Sequence, residues 1–127
     1  MLSGFAKSPA QKLCWWKWPN NRRETARRRG GSVVTHIVIF SWIDAVTAAQ
    51  VEIFRQAFEE MAAALKEFAT FSHGPDLRFR EGNGDYAVAA IFPDRTCWDA
   101  YQAHPLHKAF VRDFVTPIQA SRLTIQF

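Results

Sequence analysis

The sequence predicts an α+β domain over residues 33–127 in which the elements follow the order β, α, β, β, α, β. Short runs of β-branched and aromatic residues at 35–42 and 86–92 are typical of buried strands. Apolar residues between 51 and 68 recur at steps of three and four, which indicates an amphipathic helix. This element order is the split βαβ arrangement of ferredoxin-like domains.

The first half of the domain has clear local signals. Residues 35–42 read THIVIFSW, and the shortness of this run favours a strand over a buried helix. Thr47 and Gln50 have the spacing of a capping box, in which each side chain satisfies a backbone N–H at the helix start. We expect a short second strand at 70–73, before the turn sequence Gly-Pro-Asp at 74–76. The predicted helix presents one apolar stripe, made of Val51, Phe54, Phe58, Met61, Leu65 and Phe68.

The second half begins with a turn cluster at 81–85 and the apolar third strand. Asp94 is expected to cap a short helix over residues 95–102. Pro105 is expected to open another helical segment, which extends to about residue 115, because the first helical position needs no backbone N–H. The last residues alternate between apolar and polar side chains, with Leu, Ile and Phe on one face, and therefore predict the final strand.

The first and third strands are apolar on both of their alternating faces. In the first strand Ile37 and Ile39 point away from Val38 and Phe40. Helices on one side of a sheet cover one face only. Leaving the other face in water would forgo roughly 1.5–3 kcal/mol for each large side chain. We therefore expect a second copy of the chain to cover it, so that two sheets pack face to face in a twofold dimer.

The charge of the chain is unevenly distributed. Residues 1–32 hold eight basic residues and one acidic residue, a net +7, whereas 33–127 hold eight basic and eleven acidic residues, a net −3. We expect 1–32 to be a poorly ordered basic leader, and a transit peptide, a nucleic-acid-binding arm or a start codon set too early are alternatives for it. Val33 or Val34 would be the initiator in the last case. The mildly acidic domain has no pattern of a nucleic-acid surface, so nucleic acid is not an expected partner.

Several classes of site have no support in the sequence. Cys14 and Cys97 form neither a disulfide framework nor a metal-ligand spacing, and we expect a reducing, cytoplasmic location. No apolar run approaches the roughly 18 residues that a membrane span needs. His104 and His107 have no carboxylate or thiol at a suitable spacing, so no metal is expected. Without a glycine-rich phosphate loop, no cofactor is expected either.

Four segments carry a resemblance to a known family. They are THIVIF, GPDL, DYAVAAIF and above all YQAHPLHKAF at 101–110. Together they resemble the stress-responsive dimeric α/β barrel (Dabb) family over essentially all of 35–127, and Y-x-x-H-P-x-H is the most specific part. The resemblance implies a ferredoxin-like protomer that pairs sheet to sheet. The same segment is similar to the plant olivetolic acid cyclases of this family, which close a linear polyketide by an aldol condensation.

The similarity to the cyclases implies three catalytic positions: His36, Tyr101 and His107. A neutral imidazole at His107, with a pKa near 6.5, can take a proton from the carbon next to a carbonyl and return it. Tyr101 can donate a hydrogen bond to the enolate, and His36 can support it. Val88 stands where the cyclases carry a further histidine, which weakens the specific cyclase reading. The alternative is structural, with His104 capping a helix and the Tyr101 hydroxyl tied to the backbone.

The expected function is that of a homodimeric stress-response barrel protein that binds a small apolar or aromatic carbonyl compound beside His107. Cofactor-free acid–base chemistry of the cyclase or lyase kind fits these residues, and the sequence leaves open whether the protein is an enzyme. One alternative is a non-catalytic binding or stress-protective module. Another is a cofactor-independent monooxygenase, although no residue singles it out.

Overall fold

The computed structural model describes Cys14 and residues 33–127. The four strands form one antiparallel sheet with the order β2-β3-β1-β4. The predicted βαββαβ ferredoxin-like order is confirmed. The elements are β1 (Val34–Trp42), α1 (Ala48–Ala64), β2 (Thr70–Pro75), β3 (Tyr86–Phe92), α2 (Arg95–Ala103), α3 (Pro105–Phe110), a π-helical turn (Val111–Val115) and β4 (Gln119–Gln126).

The boundaries differ from the predictions in three places. β2 continues through the expected turn as far as Pro75, because this edge strand stays paired with β3 up to Tyr86. α1 ends at Ala64, before the last members of its apolar stripe, which follow in a turn. The second helical segment changes from α to π geometry after Phe110.

The predicted helix caps are present. Thr47 and Gln50 form the complete capping box of α1, with the Gln50 backbone N–H 3.1 Å from the Thr47 hydroxyl. The Asp94 carboxylate accepts from the Cys97 backbone N–H at 3.0 Å and opens α2. These caps fix where the two helices leave the strands, and therefore how they lie on the sheet.

The core lies between the helices and one face of the sheet, which we call the inner face. Phe54 of α1 has its ring centroid 5.4 Å from Phe40, 5.0 Å from Tyr86 and 5.3 Å from Phe110. All four side chains are buried. Aromatic packing of this kind holds α1 and α3 against β1 and β3.

The opposite face, which we call the open face, carries large apolar side chains in water. β1 and β4 pair Ile37 with Ile125 and Ile39 with Leu123, so these side chains form adjacent rows. Leu123 is 75% exposed and Ile125 is 57% exposed. The expectation that the first and third strands are apolar on both faces is confirmed, since Ile39 of β1 and Ile91 of β3 are 40% and 38% exposed on the open face.

Cys14 is the one leader residue that the structure describes, and it is disulfide-bonded to Cys97 with the two Cα atoms 5.8 Å apart. The expectation that the two cysteines form no disulfide is therefore wrong. Their sequence separation is 83 residues, so no local spacing pattern predicts the disulfide. The poorly ordered leader and its alternatives concern residues outside the described ones. Within Cys14 and 33–127, no helix has the length and apolar character needed to cross a membrane.

Candidate functional site

A cavity of about 670 Å³ lies between the inner face and the helices. The three predicted site residues all line it, although they come from separate elements: His36 from β1, Tyr101 from α2 and His107 from α3. The apolar part of the lining consists of Val38, Phe40, Phe58, Val88, Trp98, Phe110, Val111 and Val115. The structure thus brings the predicted residues together around a space large enough for a small aromatic molecule.

His36 is buried, with 7% of its surface exposed. Its Nδ1 lies 3.4 Å from the Trp98 indole nitrogen and 2.8 Å from the Gln126 side-chain amide nitrogen. Because an indole N–H can only donate, Nδ1 is the acceptor and the neutral ring carries its proton on Nε2. Burial lowers the pKa of His36, and the positive charge of Arg122 lowers it further. His36, which lines the cavity, therefore carries an N–H donor at Nε2.

Tyr101 and His107 pack against each other with ring centroids 4.4 Å apart at an angle of 47°. Tyr101 is 4% exposed, and burial raises the pKa of its hydroxyl, which stays a protonated donor. No described residue is hydrogen-bonded to that hydroxyl, so the alternative that ties it to the backbone gains no support.

His107 has a buried ring nitrogen, Nδ1, without a hydrogen-bond partner among the described residues. Burial lowers the pKa of His107 to about 4, and the backbone carbonyl of Gln102 offsets this only in part. The expectation of an unperturbed pKa is therefore wrong, because the ring is more desolvated than its place after Pro105 suggests. At neutral pH the ring is uncharged.

His104 has a different role from His107, although only two residues separate them. Its Nδ1 accepts a hydrogen bond from the Leu106 backbone N–H at 3.1 Å and caps α3. Its ring packs edge-on against Phe68, with centroids 5.7 Å apart. The structural interpretation of His104 is confirmed.

His73 lies outside the cavity. Its Nδ1 is 2.6 Å from the hydroxyl of Tyr86, and its Nε2 is 3.7 Å from a carboxylate oxygen of Glu59. Tyr86 is 1% exposed, so this contact satisfies the polar end of a core residue. Burial lowers the pKa of His73, and the pair is structural.

β4 contributes three polar residues to the cavity that were not predicted from the sequence: Arg122, Thr124 and Gln126. β4 pairs these with Phe40, Val38 and His36, so they share the inner face with the predicted site. Their alternation with apolar residues was visible in the sequence. Because apolar residues usually face the helices, the pattern alone favours the opposite orientation.

Comparison with known proteins places the fold and the family. Residues 34–127 match the family model of the Stress responsive A/B Barrel Domain. The sequence has no significant match among curated proteins. A dimeric ferredoxin-like protein of unknown function from Thermobifida fusca YX is 37% identical, with a TM-score of 0.71, over 77% of this chain and 92% of that chain.

Two more distant structures share the fold. A Dabb family protein from Mesorhizobium loti MAFF303099 is 22% identical, with a TM-score of 0.65, over 76% of this chain and 95% of the other. The hydroxynitrile lyase from Passiflora edulis is 15% identical, with a TM-score of 0.66, over 76% of this chain and 92% of the lyase. Since the family model spans most of the sequence, the chain belongs to the stress-responsive α/β barrel (Dabb) family.

Proposed function

We propose that the protein is a homodimer that binds a small apolar or aromatic carbonyl compound in the cavity and catalyses cofactor-free acid–base chemistry on it. The observation that carries this proposal is that three side chains able to donate or accept a hydrogen bond, His107, Tyr101 and His36, line one largely apolar cavity. The Nδ1 of His107 is buried without a partner among the described residues. Buried polar atoms without partners are rare in folded proteins, which supports a function for this ring.

The chemistry follows from the character of each group. His107 takes a proton from the carbon next to the carbonyl, and the C–H electron pair forms a C=C bond while the carbonyl π pair moves to oxygen. The resulting enolate oxygen accepts hydrogen bonds from Tyr101 and from His36 Nε2–H. Return of the proton from His107 to carbon regenerates the ketone and the neutral enzyme.

The same enolate supports carbon–carbon bond formation. Its carbon attacks a second carbonyl, and the proton held by His107 passes to the new alkoxide; the reverse sequence breaks that bond. Cyclase-like and lyase-like reactions therefore share the first step. The hydroxynitrile lyase from Passiflora edulis shows that the fold can carry a lyase activity. Val88 lines the cavity where the cyclases have a histidine, so polyketide closure is not the reaction we favour.

The dimer is supported by the open face and by the relatives. Leu123, Ile125 and Phe127 are each more than half exposed on one sheet surface, and a second copy packed sheet to sheet would remove them from water. The similar T. fusca protein is described as dimeric. The cavity lies on the inner face, so this dimer leaves the helix side of the sheet free.

The expected cytoplasmic location stays a prediction. The disulfide between Cys14 and Cys97 weighs against it, because reducing compartments keep most cysteines as thiols. Counting free thiols in protein purified under alkylating conditions from its native source decides the redox state.

An exchange experiment tests the shared first step without knowledge of the natural substrate. Phenylacetone, an aromatic ketone, is incubated with the protein in D₂O, and loss of the signals from the protons next to the carbonyl is followed by ¹H NMR. We expect the wild type to accelerate exchange over buffer and His107→Gln to abolish the acceleration. His104→Gln is the matched control and should retain it. Equal exchange by wild type and His107→Gln contradicts the proposal.

A second candidate function is binding without catalysis. The pKa of His107, about 4, favours it, because a group that holds a proton so weakly is a poor base at neutral pH. In that case phenylacetone perturbs the cavity residues but undergoes no accelerated exchange.

A further inference from the structure

The charged side chains around the cavity are all of one sign. Among the described residues that line it, three are basic, namely Lys108, Arg112 and Arg122, and none is acidic. Residues 33–127 as a whole carry a net charge of −3. The cavity is therefore a positive site on a mildly negative domain, and such a site attracts anions.

Two of the three basic side chains form no ion pair with a described residue. Arg112 donates to both carboxylate oxygens of Asp113, at 2.8 and 3.1 Å, which neutralises it. Arg122 and Lys108 form no ion pair with any described residue, and both are exposed to solvent. They are available to a ligand.

Arg122 is the better placed of the two. It lies on β4 opposite Phe40 and on the inner face. Its positive charge lowers the pKa of both His36 and His107, so the guanidinium lies within electrostatic reach of both rings. An anionic group held by Arg122 would therefore lie in the same cavity as the two histidines.

We propose, resting on the function proposed above, that the carbonyl ligand is an oxo acid with an apolar or aromatic body, and that Arg122 binds its carboxylate. A guanidinium presents parallel N–H donors that match the two oxygens of one carboxylate. The apolar lining, which includes Phe58, Val88 and Phe110, accommodates the body of the molecule. Lys108 adds a second positive charge beside His107 in the chain.

The test compares an acid with its neutral ester. Benzoylformate is an aromatic oxo acid without a proton next to its ketone, so it binds without being enolised, and methyl benzoylformate has the same ketone without the charge. Affinities for the full-length protein are measured by isothermal titration calorimetry at neutral pH. We expect the wild type to bind the acid at least about tenfold more tightly than the ester, the difference that a charge-assisted pair typically supplies.

Arg122→Gln should remove this preference and leave the affinity for the ester unchanged. Arg112→Gln is the matched control, because it deletes a lining charge that is already paired, and it should keep the preference for the acid. Circular dichroism melts of both variants establish that they are folded. A preference that survives Arg122→Gln overturns the assignment of this residue.

The remaining outcomes separate this inference from the function on which it rests. Equal binding of acid and ester by the wild type overturns the anionic substrate class and leaves carbonyl binding standing. Tighter binding of phenyl phosphate than of benzoylformate, with the same loss in Arg122→Gln, replaces the carboxylate by a phosphate. Failure of both acid and ester to bind at millimolar concentration counts against the inference and the proposed function together.

Discussion

Along β4 the two faces of the sheet differ in the opposite sense from most sheets that carry helices on one side. In such sheets the helix-covered face is usually apolar and the free face polar. β4 instead places the solvent-exposed Arg122 and Gln126 on the inner face, at the cavity, and Leu123 and Ile125 on the open face. β1 and β3 keep the usual apolar inner face. The buried His36 lies beside Gln126 on the inner face.

This reversal along β4 indicates that each face has a separate task. An apolar face in water favours association, whereas polar groups that line a cavity favour ligand binding. The part of the inner face that lines the cavity is therefore best explained as a site and the open face as an interface. Substitutions confined to one face separate these two tasks.

The largest effect is expected on the open face. Ile125→Asp places a charge on each copy at the proposed dimer interface and removes two buried isoleucines, which should weaken association by roughly 3–6 kcal/mol, or a hundredfold or more. Sedimentation velocity at micromolar concentration should show dimers for the wild type and monomers for the variant.

Ile53→Asp is the matched control for this experiment. Ile53 lies on α1 and is 53% exposed, close to the 57% of Ile125, but it is not on the sheet. It should leave the dimer intact. A wild type that sediments as a folded monomer, or equal dissociation of the two variants, refutes the assignment of the open face.

A smaller effect concerns the stability of the inner face against acid. The pKa of each of the four histidines is lowered in the fold, chiefly by burial. The unfolded chain therefore binds more protons, and the free energy of unfolding should fall as the pH drops from about 6.5 to about 4. His107 alone contributes of the order of 3 kcal/mol to this loss.

Urea titrations across this pH range measure the effect. His107→Leu should reduce the loss of unfolding free energy between pH 6.5 and 4 by about the amount assigned to His107, since leucine does not titrate. An unchanged slope in this variant shows that the ring is not held neutral by its surroundings.

The smallest effect separates His107 from His104 at constant pH. His104→Ala removes the cap of α3 and should lower the free energy of unfolding by about 1 kcal/mol. His107→Leu removes a buried nitrogen without a partner and should raise the free energy of unfolding by about 1 kcal/mol. The same variant should no longer accelerate the exchange of phenylacetone protons with D₂O. Denaturant unfolding at neutral pH checks both. A lower free energy of unfolding in both variants would indicate that His107, like His104, has a structural role.

Most of the fold could be predicted from local sequence signals. The capping box at Thr47 and Gln50, the Asp94 cap and the third strand each depend on residues close in sequence, and the structure has them as predicted. The three site residues came from a family resemblance. The structure brings them together, but their catalytic roles stay predictions.

What could not be predicted depends on contacts between distant segments. Alternation along β4 shows which residues share a face but not which face meets the helices. The position of Arg122 and Gln126 at the cavity could therefore not be predicted. The Cys14–Cys97 pair joins residues whose spacing carries no pattern. The pKa of His107 depends on burial by other elements, so its position after Pro105 does not reveal it.

The central claim is that the inner face holds a ligand site, and the histidine resonances test it most directly. Two histidines, His36 and His107, line the cavity, and the other two, His73 and His104, have structural partners. Titration of the protein with phenylacetone, followed through the histidine Cε1–H signals, should shift those of His36 and His107 and leave those of His73 and His104 nearly unchanged. The account would be contradicted if saturating phenylacetone shifted none of the four histidine signals, or shifted only those of His73 and His104.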